Sequence, residues 1–198
     1  MDTTRFARLF PLGSHLCREP MPPMAELKHD MEVLKRQGFN LIKLQEHWMI
    51  DEPREGECDF SRYEELIEQA ARLDLGVYLG LTCEQAPSWL YRKHPDCRMV
   101  GRNGLPVAYQ AQTTLPGDGK PGPCYDHPGA RADMVRFITR LVGVLGRFEN
   151  LVDDVARRDV VNRGRIEGGF GGVDREKKRF LRRWLRMRCG DIRRRQHA

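Results

Sequence analysis

The order of apolar and polar positions predicts alternating strands and helices up to about residue 150. Apolar runs of strand length occur in three places, at residues 12–17, 39–44 and 77–81. Apolar residues spaced three and four apart predict amphipathic helices in three others, at residues 24–37, 61–73 and 128–148. The alternation of strand and helix predicts an α/β fold with parallel strands joined by helical crossovers.

Turn and cap residues predict where these elements begin and end. Gly38 marks the end of the first helix, and Ser61 with Glu64 has the spacing of a capping box at the start of the second. Residues 45–60 are polar and contain proline, which predicts a loop. Residues 94–127 are rich in Gly, Pro and Asp without a period, and a loop of that length is usually functional.

Charge divides the chain into two parts. The formal net charge is +6, and residues 151–198 carry 15 basic and 7 acidic side chains, whereas residues 1–150 carry 19 and 21. All of the basic excess therefore lies in the last 48 residues, where the alternation of strands and helices stops. We interpret residues 1–150 as the folded domain and residues 151–198 as an irregular basic tail.

Cysteine spacing and the N-terminal residues indicate the cellular compartment of the protein. The six cysteines are widely and irregularly spaced, which is not typical of a small disulfide-rich protein. The first residues contain no apolar signal-peptide core, and no run approaches eighteen apolar residues. These observations predict a cytoplasmic protein with no membrane partner.

Four motifs occur in a fixed order before residue 130: KRQGFNLIKL at 35–44, EHW followed by DEPREG and DF within 46–60, APSWL at 86–90, and CYDHP at 124–128. This order resembles the N-terminal half of the catalytic domain of family 42 glycoside hydrolases, which are β-galactosidases with a (β/α)₈ barrel. The resemblance implies a partial TIM barrel of the first three to four βα units followed by the basic tail. It also implies a carbohydrate substrate, a β-galactoside, that intact relatives hydrolyse with retention.

Active sites of such barrels lie on the loops after the strands, at the carboxyl edge of the sheet. Four residues near those strand ends are therefore predicted to bind substrate: His15, Glu46, Trp48 and Trp89. Aromatic rings suit the apolar faces of sugars, and carboxylates accept hydrogen bonds from hydroxyl groups. Each residue has a structural alternative, because the tryptophans could pack under loops and the histidine could belong to the core. Glu52, Pro53 and Gly56 could serve only as turn residues.

The resemblance also shows what this sequence does not supply. Retaining hydrolysis needs an acid/base carboxyl and a nucleophilic carboxylate about 5–5.5 Å apart. In the family these glutamates end the fourth and seventh strands, and neither can be assigned in this chain, so we expect it to be inactive.

No cofactor and no metal site are predicted, since Cys124 matches a zinc-binding cysteine of some members but lacks three partner ligands. Lys43 stands where the family usually has arginine, which weakens bidentate contacts.

Two interpretations of the tail remain open. Shifting the reading frame near residues 152–157 can give an aromatic strand ending in Gln-Glu, which predicts that parts of the tail are out of frame. The alternative function is a small nucleic-acid-binding or interaction protein that uses Trp184 and the arginines around it. Nucleic acid is the less favoured partner because the sequence contains no recognised binding module. A barrel glycosidase of another clan is a further alternative.

Overall fold

Three parallel strands form one sheet in the order β1-β2-β3. The computed structural model describes residues 10–17, 20–107 and 122–151. The strands are β1 (Gly13–Cys17), β2 (Leu41–Gln45) and β3 (Gly76–Gly80). They coincide with the three apolar runs, so the prediction of a parallel α/β sheet is confirmed for the described residues.

The strand register divides the sheet into two faces. Leu41 pairs with Gly76 and Gln45 with Gly80, and the alternate residues Ile42 and Leu44 are fully buried. Because successive side chains of a strand point to opposite faces, the helices cover the face that carries Ile42 and Leu44. The hydrophobic core lies between that face and the helices.

The helices, in chain order, are α1 (Met24–Arg36), α2 (Trp48–Asp51), α3 (Ser61–Arg72), α4 (Ser88–Lys93) and α5 (Pro128–Leu145). The long helices α1, α3 and α5 confirm the three helices predicted from the spacing of apolar residues. Gly38 follows α1 with a positive φ of 88°. The short helices α2 and α4 were not predicted. Each is only one or two turns long, which is too short to show a period.

The start of α3 differs from the capping-box prediction. Ser61 is the first residue of the helix, its cap position is Phe60, and no side chain at that cap position bonds the helix. Asp59 takes this role instead, because its Oδ1 accepts a hydrogen bond from the Ser61 N–H at 2.9 Å. The capping-box prediction is therefore wrong. The acceptor is Asp59, two residues before Ser61, in an Asx-type turn that precedes the helix.

The last described residues, Asn150 and Leu151, lie beside β3. Leu151 forms a parallel bridge with Val77, and the Val77 N–H donates to the Asn150 carbonyl at 2.7 Å. The Asn150 side chain is buried and donates to the carbonyls of Ile67 and Leu75. Leu151 thus pairs in parallel with β3 on the side that β2 does not occupy.

Several predictions concern residues beyond the described ranges. The basic tail after Leu151, its proposed change of frame and its nucleic-acid alternative all lie there.

The described part of the predicted long loop contains two isolated antiparallel bridges, Arg98 with Pro123 and Val100 with Pro106, and neither a helix nor a regular strand. No helix among the described residues has the length and apolarity needed to cross a bilayer.

Candidate functional site

The loop after β2 (residues 45–56) and the loop after β3 (residues 80–89) together form the carboxyl edge of the sheet. Main-chain hydrogen bonds join these two loops. The Glu46 N–H donates to the Gly80 carbonyl at 2.8 Å, and the Met49 N–H donates to the Gln85 carbonyl at 3.1 Å. Parallel strands end at the same edge, so residues distant in sequence meet there. This edge is where a barrel enzyme carries its chemistry.

Glu46 lies directly after β2 and is fully buried. Its Oε2 accepts the Thr82 N–H at 3.0 Å, whereas no hydrogen-bond partner of Oε1 lies among the described residues. Burial raises the pKa of Glu46 well above its usual range, and the neighbouring carboxyl of Asp51 raises it further. Burial and the nearby Asp51 carboxyl therefore both disfavour the ionised form of Glu46.

Asp51 ends α2 and is paired with α3. Its Oδ1 accepts from Arg62 at 2.9 Å, and the Tyr63 hydroxyl donates to its Oδ2 at 3.0 Å. Burial raises the pKa of Asp51 to about 6, although the charge and hydrogen bonds of Arg62 and the bond from Tyr63 lower it. The two acids, Glu46 and Asp51, are thus distinguished by their partners, because the arginine belongs to Asp51.

Glu52 follows Asp51 and is also fully buried. Its carboxylate accepts from the Trp48 indole, from the Gly56 N–H and from Arg136 of α5, each at 2.7 Å. A carboxylate with three donors at this distance makes strong charge-assisted hydrogen bonds. One side chain therefore joins the β2 loop to α5.

The two tryptophans predicted to bind substrate lie together in the interior. Trp48 is fully buried and Trp89 nearly so, with their rings edge to face and 6.0 Å apart. Phe137 stacks on Trp48 at 5.3 Å, and the Arg136 guanidinium lies 5.7 Å from the Trp89 ring. The packing alternative accounts for both indoles as they stand, and their contact with substrate stays a prediction.

His15 lies apart from the other three predicted residues, on the opposite face of the sheet. It is exposed and pairs in register with Lys43, which pairs with Tyr78 of β3. The Lys43 ammonium lies 5.9 Å from the Tyr78 ring. These three side chains form a row across the face that points toward the interior of a closed barrel.

A second polar cluster lies between α4 and the start of α5. Asp133 is buried and accepts from Lys93 at 3.0 Å, and its Oδ2 lies 2.9 Å from His94 Nε2. Burial alone would raise the pKa of Asp133, but the bonds from His94 and Lys93 outweigh it and hold the pKa below its usual range. His127 caps α5 by accepting the Ala130 N–H at 3.1 Å.

The structure brings Glu46, Trp48 and Trp89 together and separates His15 from them. The sequence did not predict the residues whose hydrogen bonds and ion pairs hold these loops and helices together: Asp51, Arg62, Tyr63, Asp133 and Arg136. Asp51, Tyr63 and Asp133 are buried beside apolar residues of their helices, and an apolar period does not single out a polar residue on such a face. The sequence signal that could have found Asp51 is the acidic pair in the DEP motif, where turn chemistry is the alternative for Glu52, Pro53 and Gly56. In the described residues, no three side chains of ligand type cluster as a metal site.

The comparisons with known proteins identify the family. The profile of glycoside hydrolase family 42, described as β-galactosidase, matches residues 21–198. This match covers most of the chain, so the chain belongs to glycoside hydrolase family 42. The prediction drawn from the four motifs is therefore confirmed.

Individual relatives agree with the family match. The β-galactosidase BgaA of Clostridium cellulovorans is 33% identical over 76 residues, which are 38% of this chain and 12% of that protein. The β-galactosidase bgaB of Geobacillus kaustophilus is 26% identical over 125 residues, which are 61% of this chain and 16% of that protein. The matched part of the chain thus corresponds to less than a fifth of the length of these relatives.

Solved structures show the fold. The β-galactosidase of the haloarchaeon Halorubrum lacusprofundi superimposes with a TM-score of 0.57 at 19% identity over 71% of this chain and 20% of that chain. A family 42 β-galactosidase from G. stearothermophilus gives 0.58 at 19% identity over 72% and 20%. The described sheet and helices therefore have the fold of a TIM-barrel family.

Proposed function

We propose that residues 1–150 are the first βα units of a retaining glycoside hydrolase that acts on β-galactosides. The family match over residues 21–198 carries this proposal. It is supported by the joined loops after β2 and β3, where Glu46, Trp48 and Trp89 meet. In the complete barrel these loops would form part of the wall and rim of the sugar site, and His15 would face the interior.

We propose further that the chain does not catalyse hydrolysis by itself. Retention requires two carboxyl groups that reach the anomeric carbon and the glycosidic oxygen. Two acids of the carboxyl edge already have partners, because Asp51 pairs with Arg62 and Glu52 pairs with Arg136. Glu46 is fully buried beneath the loops. Their role is to hold the loops in place, while the catalytic glutamates come from later strands.

An assay on nitrophenyl glycosides tests both proposals. The purified 198-residue chain should show no hydrolysis above the blank. The same residues 1–150 joined to the later strands of a family 42 domain should release nitrophenol from the β-galactoside, with the anomeric configuration retained by NMR. Hydrolysis by the short chain would contradict its proposed inactivity. A joined protein that prefers another glycoside would favour the barrel of a different clan.

A further inference from the structure

We propose that Glu52 is a positioning residue that sets the orientation of both tryptophans at the carboxyl edge of the sheet. This inference rests on the proposed function for its consequence in sugar binding, but its geometry stands without it. The motif that contains Glu52 suggested only a turn, and the structure gives its side chain a larger set of partners.

The side chain of Glu52 acts on the first tryptophan directly. The Trp48 indole N–H donates to Oε2 at 2.7 Å, while Oε1 accepts from the Gly56 N–H and from Arg136 at the same distance. A turn requires only the bond from Gly56. The bonds from Trp48 and Arg136 reach α2 and α5, so they fix the carboxylate between two elements outside the turn.

The main chain of Glu52 acts on the second tryptophan. The Trp89 indole N–H donates to the Glu52 carbonyl oxygen at 2.9 Å. An indole has one hydrogen-bond donor and no acceptor, so each ring makes its one N–H hydrogen bond to this residue. The two rings are also edge to face, with their centroids 6.0 Å apart.

Arg136 links this arrangement to the cluster at the start of α5. Its guanidinium pairs with Glu52, lies 5.7 Å from the Trp89 ring, and places Nε 3.6 Å from Asp133. Trp89 also has the Lys93 ammonium 5.8 Å from its ring. The carboxylate of Glu52 therefore holds the cation that lies on Trp89 as well as the N–H of Trp48.

The variant Glu52→Gln tests the proposal by ¹⁵N–¹H NMR of the indole groups in the full chain. The chain has three tryptophans, and Trp48→Phe and Trp89→Phe assign the signals of these two. A neutral amide is a weaker acceptor than a carboxylate, so the Trp48 indole proton should move upfield in Glu52→Gln. The Trp89 signal should move less, because its acceptor is a carbonyl of the main chain. The matched control, Glu57→Gln, removes an exposed acid paired with Arg54 and should leave both signals in place.

Loss of folding in Glu52→Gln would not remove the test. That variant leaves the charge of Arg136 without its partner, and the double variant Glu52→Gln with Arg136→Met removes this charge. The unaltered chain gives a second measurement, since both indole protons should exchange at least about tenfold more slowly than an exposed indole. Unchanged Trp48 signals in a folded Glu52→Gln variant, or fast exchange in the unaltered chain, would overturn the proposal.

A titration with galactose separates this inference from the proposed function. If both hold, galactose shifts the Trp48 and Trp89 signals of the protein that joins residues 1–150 to the later strands of a family 42 domain, and Glu52→Gln in that protein weakens the response. If galactose gives no response but Glu52→Gln still moves the Trp48 signal, the positioning role stands and the sugar site fails. A galactose response that is the same in both proteins, with an unmoved Trp48 signal, overturns the positioning role alone.

Discussion

The burial of Glu46 makes the stability of the folded chain depend on pH. Because its pKa in the folded chain is raised above the ordinary value of 4.5, its contribution to stability is complete below about pH 4.5. The contribution is lost as the pH rises through the folded value. Asp51 adds a change of the same sign between its ordinary value of 3.8 and about 6.

The isosteric variant Glu46→Gln should therefore be more stable than the unaltered chain at neutral and alkaline pH. It removes the cost of ionising a buried acid while an oxygen remains to accept the Thr82 N–H. A gain of about 1 kcal/mol would raise Tm by roughly 2–4 °C for a chain of this size. Thermal unfolding followed by circular dichroism from pH 4 to 9 measures the difference, which should vanish near pH 4. The exposed control Glu68→Gln should show no such trend, and a pH-independent difference for Glu46→Gln would refute the argument.

At the scale of elements, two glycines of α5 have different surroundings. A Cβ on Gly129 would lie 2.4 Å from the His94 ring, whereas a Cβ on Gly143 would meet nothing within 4 Å. Gly129→Ala should therefore cost about 1–3 kcal/mol, because the His94 ring must leave its place beside Asp133. Gly143→Ala should stabilise the helix by up to about 1 kcal/mol. Urea unfolding of both variants measures the contrast, and equal effects would contradict the close packing of α4 on α5.

The start of α3 gives a second prediction about an element. Asp59→Ala should destabilise the chain by about 1 kcal/mol, because it removes the acceptor of the Ser61 N–H. Ser61→Ala should cost less than half as much, since Ser61 lies inside the helix. Urea unfolding at pH 7 distinguishes the two. The reverse order would support the capping box that the spacing of Ser61 and Glu64 predicts.

The sequence predicted the long elements of the fold and missed the contacts that assemble the site. The apolar runs predicted β1, β2 and β3 because each is a short, mostly apolar segment of strand length. Helix α2 was missed because its four residues cannot show a helical period. The partners Glu52 and Arg136 are 84 positions apart, and no local pattern can join them. Trp48 and Trp89 were found by residue type, while their mutual packing required the fold.

At the scale of the whole molecule, the sheet face that carries Lys43 and Tyr78 predicts self-association. Tyr78 is 40% exposed there, and the described helices pack on the other face. An uncovered sheet face and a parallel edge promote association. The 198-residue chain should therefore associate as its concentration rises, as measured by light scattering. Tyr78→Glu should reduce this, whereas Ala132→Glu on the exposed side of α5 should not; a monodisperse monomer at all concentrations would count against the prediction.

The coding sequence of the tail tests our proposal that residues after 151 are partly out of frame. If the proposal holds, shifting the frame by one base near residues 152–157 gives an aromatic strand ending in Gln-Glu. Sequencing of the gene decides this, and codons that give no such strand would end the proposal. The family match extends to residue 198, so parts of the tail retain family sequence in the present frame.

The anchoring of Asn150 has a consequence for the order in which such a barrel is made. The side chain of Asn150 donates to the Ile67 carbonyl within α3 and to the Leu75 carbonyl just before β3, and Leu151 forms a parallel bridge with Val77. A ribosome delivers the chain from the N-terminus, and domains begin to form while synthesis continues. The next residues to emerge would meet a docking edge with a fixed direction and register. We expect the barrel to be assembled vectorially, with each finished βα unit serving as the template for the strand that follows.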